Sequence, residues 1–236
     1  MPDPVLGLIV PRQVEIPSEA YALYPSGVKF LLEAVGLESM TSAGYDSVID
    51  RIVPAAEALA RQGAQAILLI GTSLTFYKGP AFNDSLADSI RRATGLPATT
   101  MSTAIVESLR VVSGRRLAVA TAYNKDVTDR LRVFLTELGF EVEAASGMGL
   151  ERIGEAGKIS APDLHDFVRE VFRAAPACDA LLVSCGGLRT LELIVPWERE
   201  CGIPVVSSMP HALWAGVRLL GLTGAAPGFG RLLSAS

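Results

Sequence analysis

Histidine and cysteine are scarce in this sequence, which limits the chemistry it can support. The histidines are His165 and His211, and the cysteines are Cys178, Cys185 and Cys201, no two of them at CxxC spacing. We therefore expect no metal site built from these residue types. An odd number of cysteines in a chain that opens without an export signal favours reduced thiols, so we expect a cytoplasmic protein.

Motifs for nucleotides, nucleic acids and membranes are also missing. Neither GxGxxG nor GxxxxGK[ST] occurs, and we expect no cofactor. The net charge is −4 and no five like charges are consecutive, which argues against nucleic acid or an anionic membrane as a partner. No apolar run approaches the ~18 residues of a membrane span. A small molecule is the expected partner, and without a long heptad run we expect a monomer.

Short apolar runs alternate with helical patterns along the 236 residues, half of which are hydrophobic. This alternation predicts an α/β fold with mainly parallel sheets and right-handed crossovers. The predicted strands are Val5–Val10, Ala66–Ile70, Pro97–Met101, Leu117–Thr121, Ala180–Ser184 and Pro204–Ser207.

Helix boundaries are marked by capping residues and glycines. Asn124 is the expected N-cap of a helix that ends before Gly139. Ser102 is the expected N-cap of an earlier helix, which ends near Gly114. Pro54 falls within another helical pattern, which we expect it to divide or kink.

Three segments recur in the same order. "LGLIVPRQ" resembles "LAVATAYN" 111 residues later, "AILLIGTS" resembles "ALLVSCGG" 114 residues later, and "TGLPATTMS" resembles "CGIPVVSSM" 107 residues later. The repeat predicts two pseudo-symmetric domains, each a mainly parallel sheet flanked by helices. We assign residues 1–113 with 212–236 to the first and 114–211 to the second, so that the C-terminal tail packs on the first half.

The active site is expected in the cleft between the two domains, because ligands of parallel sheets bind beyond the carboxyl ends of the strands. The segments at those ends are Pro11 to Gln13, Gly71 to Ser73, Thr100 to Ser102, Ala122 to Asn124, Ser184 to Gly187 and Ser207 to Met209.

One thiol is available in this cleft. Cys185 and Gly71 are equivalent under the repeat, so the site has a cysteine on one side only. Two opposed thiols could exchange protons with both faces of a carbon, whereas one thiol serves a single face. Cys178 and Cys201 fit better as small buried hydrophobes. We expect His211 to be structural and His165 to be solvated.

Hydrogen-bond donors suited to an anion surround this thiol. The hydroxyls of Thr72, Ser73 and Tyr123 are joined by the N–H groups of Cys185 and of the two glycines that follow it, and together they resemble an oxyanion hole. Such a set stabilises an enolate-like carboxylate without a metal or cofactor.

Nearly the whole sequence resembles the aspartate/glutamate racemase superfamily, and within it the arylmalonate decarboxylase family. The resemblance is carried by "GTSLTFYKGPAFN", "TGLPATTMSTA", "VATAYNKDV", "LLVSCGGL" and "GIPVVSS". It implies a lyase in which Cys185 protonates an enediolate, with Gly71 in the place of the absent second cysteine. One substrate carboxylate is then held by Thr72, Ser73, Tyr123 and the N–H groups of Cys185 and Gly186.

The resemblance also implies an apolar pocket for the carboxylate that leaves as CO2. Its residues are Pro11, Leu37, Met40, Tyr45, Leu74, Ile153, Ala156 and Gly187. Arg12, Met40 and Ala156 depart from the pattern of that family, so they bear on which side groups the substrate carries. Arg12 would stabilise the departing carboxylate if its side chain entered this pocket.

Three functions remain open at this point. The first is cofactor-independent decarboxylation of disubstituted aryl or alkenyl malonates, with a single cysteine setting the hand of the product. The second is a racemase or a maleate-type cis-trans isomerase, which the glycine at position 71 disfavours. The third is a protein that binds carboxylates without turnover.

Overall fold

The computed structural model describes residues 2–12 and 15–234, so Gln13 of the predicted cleft lies outside the described residues. The strands are β1 Val5–Val10, β2 Lys29–Ala34, β3 Ala66–Leu69, β4 Ala98–Thr100, β5 Arg116–Tyr123, β6 Glu141–Leu150, β7 Ala180–Ser184 and β8 Val205–Ser207. The helices are α1 Ser18–Leu23, α2 Ser42–Asp46, α3 Ile52–Arg61, α4 Thr72–Phe76, α5 Pro80–Thr94, α6 Met101–Val111, α7 Lys125–Glu137, α8 Ala161–Arg173, α9 Ile194–Cys201, α10 Ser208–Arg218 and α11 Arg231–Ser234. Short 3-10 turns cover Ile49–Arg51 and Ala156–Lys158.

The strands form two parallel sheets with the same topology. The first sheet has the order β2-β1-β3-β4 and the second has the order β6-β5-β7-β8. Every strand pair within them is parallel, and β3 and β7 are buried along their whole length. The predicted duplicated α/β architecture is therefore confirmed, and the carboxyl ends of β3 and β7 occupy equivalent places.

Strands β2 and β6 were not predicted from the sequence. Both lie at a sheet edge, and most of their residues are only partly buried or exposed. Their sequences therefore lack the continuous apolar run that marks a strand buried on both faces. The remaining strands were predicted within two residues of their observed ends.

Capping distinguishes the two helix starts that we predicted. The Asn124 side chain accepts a hydrogen bond from the Val127 N–H at 3.0 Å, as expected for the N-cap of α7. The prediction for Ser102 was wrong, because the Thr100 hydroxyl accepts the corresponding bond from Thr103, also at 3.0 Å. Ser102 lies inside the first turn of α6, fully buried.

Two other predicted helix boundaries differ from the structure. Pro54 does not kink a helix, because α3 begins at Ile52 and the proline occupies its first turn, where a missing N–H leaves no bond unmade. Helix α6 ends at Val111, and Ser113 rather than Gly114 adopts a positive φ, at 59°.

The C-terminal segment contacts both halves of the molecule. Helix α10 packs on α6 and β3, and the Tyr24 hydroxyl donates to the Gly224 carbonyl at 2.7 Å. Further on, the Arg231 N–H donates to Glu198 of α9 at 2.9 Å. The domain boundaries proposed from the repeat stay a prediction. Among the described residues, no helix has both the length and the apolar character needed to cross a membrane.

Candidate active site

A cavity of about 770 Å³ lies between the two sheets, at the carboxyl ends of their central strands. Both halves contribute to its walls. The predicted site residues that line it are Pro11, Leu37, Met40, Gly71, Thr72, Ser73, Tyr123, Ile153, Ala156, Cys185, Gly186 and Gly187. The fold therefore brings together the thiol, the hydroxyl donors and most of the apolar residues assigned to this cleft.

Two residues of the expected apolar pocket, Tyr45 and Leu74, are not part of the cavity wall. Both are fully buried and absent from the cavity lining. Leu74 packs beside Gly71, and a Cβ atom built on that glycine would lie 3.3 Å from the Cβ atom of Leu74. The Tyr45 ring contacts Tyr77, with 4.9 Å between the ring centroids, and burial raises the pKa of its hydroxyl. These two side chains lie behind the wall and determine its shape.

Thr100, Met101 and Ser102 were expected to line the cleft, but none of them is part of the cavity wall, and Met101 and Ser102 instead contact Thr72. The Met101 sulfur lies 3.0 Å from Thr72 Oγ1, within reach of the one proton of that hydroxyl. The Ser102 hydroxyl donates to the Thr72 carbonyl at 3.1 Å. From the matching segment of the second half, Met209 reaches the cavity and Ser207 and Ser208 do not.

Cys185 follows β7 directly and lies in the cavity wall with 7% of its surface exposed. Its φ is 156°, a value that residues with a side chain rarely adopt. Burial raises the pKa of the thiol, against smaller opposing effects of the Gly187 and Leu188 backbone and the Tyr123 hydroxyl. The sulfur is therefore kept as a protonated thiol at neutral pH, the form that can donate a proton.

Gly71 occupies the equivalent place after β3, with φ 127°. A Cβ built on it would lie 3.3 Å from Leu74 Cβ and 3.4 Å from Pro11 Cγ. The backbone conformation and the close packing both favour glycine here. Gly71 therefore provides no acid or base at the position in the first half that is equivalent to Cys185 in the second.

The hydroxyl donors come from both halves. Thr72 and Ser73 begin α4, and Tyr123 ends β5, and all three are buried while lining the cavity. The Tyr123 hydroxyl lies 3.4 Å from the Ser184 hydroxyl. Burial raises the pKa of Tyr123 well above its usual value. It therefore stays protonated and able to donate to an anion throughout the working range of pH.

The Cys185 N–H, which we expected to serve as an anion donor, is engaged within the protein. It donates to Ser208 Oγ at 3.1 Å, and the same oxygen accepts from Thr72 Oγ1 at 3.0 Å. No sequence pattern marked Ser208 for this role, since it is one of several serines that follow strands.

Charged residues at the outer part of the cavity were largely missed by the sequence analysis. Glu15, Glu19 and Arg189 line it together with Arg12, whose side chain is exposed. The available signal was their distance along the sequence from expected cavity residues, because Glu15 and Glu19 follow Pro11 by four and eight residues and Arg189 follows Gly187 by two. The proposed effect of Arg12 on the departing carboxylate stays a prediction.

Neither histidine lines the cavity. His211 is buried with its Nδ1 3.0 Å from the Ser207 nitrogen, and burial lowers its pKa to about 4. This structural role matches the expectation. His165 is less solvated than expected, because it stacks on Trp197 and its Nε2 lies 3.1 Å from Glu200.

Comparison with known proteins shows the family of this chain. A family model described as arylmalonate decarboxylase matches residues 6–233. The chain belongs to the arylmalonate decarboxylase family. Arylmalonate decarboxylase from Bordetella bronchiseptica is 44% identical to it over 235 residues, which cover 99% of this chain and 98% of that protein.

Solved structures extend the comparison. A ligand-bound arylmalonate decarboxylase carrying a glycine-to-cysteine and a cysteine-to-serine substitution superposes with a TM-score of 0.96 at 43% identity, covering 99% of this chain and all of that one. Maleate cis-trans isomerase from Nocardia farcinica, as a mutant with a covalently bound succinylcysteine intermediate, superposes with a TM-score of 0.91 at 22% identity, with full coverage of both chains. The isomerase therefore shares the fold.

Proposed function

We propose that this protein is a carboxy-lyase that decarboxylates disubstituted aryl or alkenyl malonates without a cofactor and releases a chiral monocarboxylic acid. The observation that carries the proposal is the single thiol of Cys185 in a cavity whose equivalent position is Gly71. Membership of the arylmalonate decarboxylase family supports the same reaction.

The two carboxylates of the substrate are assigned to different surroundings. One accepts hydrogen bonds from Thr72, Ser73 and Tyr123, with the Gly186 backbone close by. The other lies against the apolar residues of the wall, such as Leu37 and Ile153, where a charged group is poorly solvated and neutral CO2 loses little. This difference favours cleavage of the bond to the second carboxylate.

Cleavage leaves its electron pair on the substrate as an enediolate. The negative charge grows on the carboxylate oxygens that already accept hydrogen bonds, and this lowers the barrier. Cys185 then transfers its thiol proton to the carbon from the side of the second half. Position 71 is a glycine, so it offers no side chain that could protonate the carbon from the side of the first half.

A deuterium experiment tests the reaction and the role of the thiol together. Turnover of 2-methyl-2-phenylmalonate in D2O should release CO2 and give a singly deuterated product of one hand. If the protein instead isomerises maleate or racemises aspartate without releasing CO2, the isomerase or racemase reading is right. Thermal stabilisation by malonates without turnover would indicate a carboxylate-binding protein.

We further propose that the protein acts as a monomer in the cytosol. Its cysteines are all free, as expected in a reducing compartment. The large hydrophobic residues that are exposed are scattered over α1, α6, α7 and the C-terminal segment, which is normal for a monomer surface. Light scattering coupled to size exclusion tests the first part, since a dimer would elute with twice the mass.

A further inference from the structure

Ser208 connects the proton donor to the carboxylate-binding hydroxyl. It is the first residue of α10, and its surface is completely buried. Its Oγ accepts a hydrogen bond from the Cys185 N–H at 3.1 Å and another from Thr72 Oγ1 at 3.0 Å. One hydroxyl thus joins residues that follow β7 in the second half and β3 in the first.

The bond to Ser208 acts on a strained part of the backbone. Cys185 has a φ of 156°, and such conformations persist when the surroundings hold them in place. This backbone conformation sets the direction of the Cα–Cβ bond and so limits the positions that the Sγ atom can reach through its staggered rotamers. Fixing the Cys185 N–H therefore fixes where the thiol proton is delivered, and small displacements of a reacting group cost much of the rate.

The hydroxyl at position 208 has no counterpart in the other half. Under the repeat, Ser208 corresponds to Met101, just as Cys185 corresponds to Gly71. The Met101 thioether also contacts Thr72, but sulfur is a weak acceptor and carries no proton. The second half, which carries the Cys185 thiol, therefore also carries the Ser208 hydroxyl that binds the Cys185 N–H.

A serine hydroxyl can also adapt when the substrate binds. Thr72 has one hydroxyl proton, which it gives to Ser208 or to Met101 in the free protein. When that proton is donated to a substrate carboxylate, the Ser208 hydroxyl can rotate and donate its own proton to Thr72 Oγ1. Thr72 is then held in the orientation that donates to the anion.

We propose that Ser208 is a positioning residue, which holds Cys185 and Thr72 in one fixed relation so that the enediolate meets the thiol on a single face. The assignment rests on the proposed decarboxylation. Ser208 itself does not line the cavity, so its role is to hold the two residues that do.

The test compares Ser208→Ala with Ser108→Ala. Ser108 is an equally buried serine, but its hydroxyl donates to the Ala104 carbonyl of its own helix, away from the site. With 2-methyl-2-phenylmalonate, Ser208→Ala should lower kcat by roughly 10- to 100-fold with less than about a threefold change in KM, and lower the enantiomeric excess of the product. Ser108→Ala should leave kcat and the enantiomeric excess unchanged.

Unchanged enantiomeric excess and kcat in a folded Ser208→Ala variant would overturn the proposal. If that variant does not fold, Ser208→Cys fills nearly the same space with a weaker acceptor and should show the same loss of stereochemical control. A Ser208→Cys variant with full enantiomeric excess would overturn it equally.

A second measurement does not depend on turnover. Alkylation of Cys185 by iodoacetamide, followed by mass spectrometry of its peptide, reports how firmly the thiol is held. We expect Ser208→Ala to raise the alkylation rate several-fold over the parent protein and over Ser108→Ala. If the parent does not release CO2 but this difference appears, the proposed function fails and the positioning role stands. Equal alkylation rates would contradict the positioning role itself.

Discussion

Cys185 and Gly71 follow the equivalent strands β7 and β3, and both have a positive φ, 156° and 127° respectively. The backbone of the duplicated unit is thus preserved at both positions while the side chain is present at one. A glycine tolerates this conformation freely, whereas the cysteine must be held in it by its neighbours. The two halves therefore share a similar backbone at this position, and the chemical difference between them is the presence of the Cys185 side chain in one half only.

Replacing the thiol should remove the proton donor. We expect Cys185→Ala to lower the rate of product formation by roughly 10²- to 10⁴-fold, the usual contribution of a positioned general acid. The rate of CO2 release and the amount of chiral acid measure the effect. Cys185→Ser is the control for shape, because its hydroxyl fits the space but is a much weaker acid. Substantial turnover by the alanine variant at equal protein concentration would contradict the assignment.

Moving the thiol to the other half should reverse the hand of the product. In a Gly71→Cys, Cys185→Ser double variant, the only thiol in the cavity lies on the opposite side, so protonation should occur on the other face. The positive φ at position 71 and the close contacts with Leu74 and Pro11 should cost about 1–3 kcal/mol of stability. Chiral chromatography of the product and urea unfolding measure the two effects. A product of unchanged hand would contradict the argument from pseudo-symmetry.

The phenol of Tyr123 can be tested by removing one oxygen. Tyr123→Phe keeps the ring packed against Phe76, at 5.9 Å between centroids, but removes a buried donor. We expect kcat to fall roughly 100-fold, as for other donors aimed at developing charge, with a smaller change in KM. Steady-state kinetics measure this, and an unchanged melting temperature serves as the control. If kcat fell less than about threefold, the enediolate would not depend on this hydroxyl.

Much of the fold could be predicted because the central strands are buried on both faces. Continuous apolar runs such as Ala180–Ser184 mark these strands clearly, and the repeat then fixes their common topology. The edge strands β2 and β6 were missed because partly exposed residues carry no such run. The cap of α6 was misplaced because Thr100 and Ser102 are both suitable side chains, and only the backbone at Thr100, with ψ 160°, decides between them.

The sequence predicted many of the residues that line the cavity, but not the hydrogen bonds behind them that hold these residues in place. Cys185 and Thr72 occur in short patterns at strand ends, which the α/β rule places in the cleft. The bonds from both residues to Ser208 depend on how α10 packs, and no local pattern encodes that. Tyr45 and Leu74 were expected in the pocket from the family resemblance, and their burial outside the cavity wall depends on the packing of distant segments, which no local pattern encodes.

The pH dependence of turnover should follow the protonation of Cys185. Burial raises its pKa, and the active form is the protonated thiol, so kcat should be level through neutral pH. It should fall only above the ordinary cysteine pKa of ~8.5. The residual activity of Cys185→Ser should lack this alkaline decline, because serine does not ionise there. A decline in kcat between about pH 6 and pH 8 would require a lowered pKa and contradict the assignment.

The stability of the protein should depend on His211 in mildly acidic solution. Burial lowers the pKa of this residue from 6.5 to about 4, so between these values the unfolded chain binds a proton that the folded protein does not. Stability is then fully present above about pH 6.5 and is lost as the pH falls towards the folded pKa, by about 3 kcal/mol in all. His211→Asn offers polar atoms near the position of Nδ1 without titrating. The difference in unfolding free energy between the parent and this variant should therefore shrink from about pH 7 to pH 4 in urea titrations, and a constant difference would mean that His211 is not the residue that titrates.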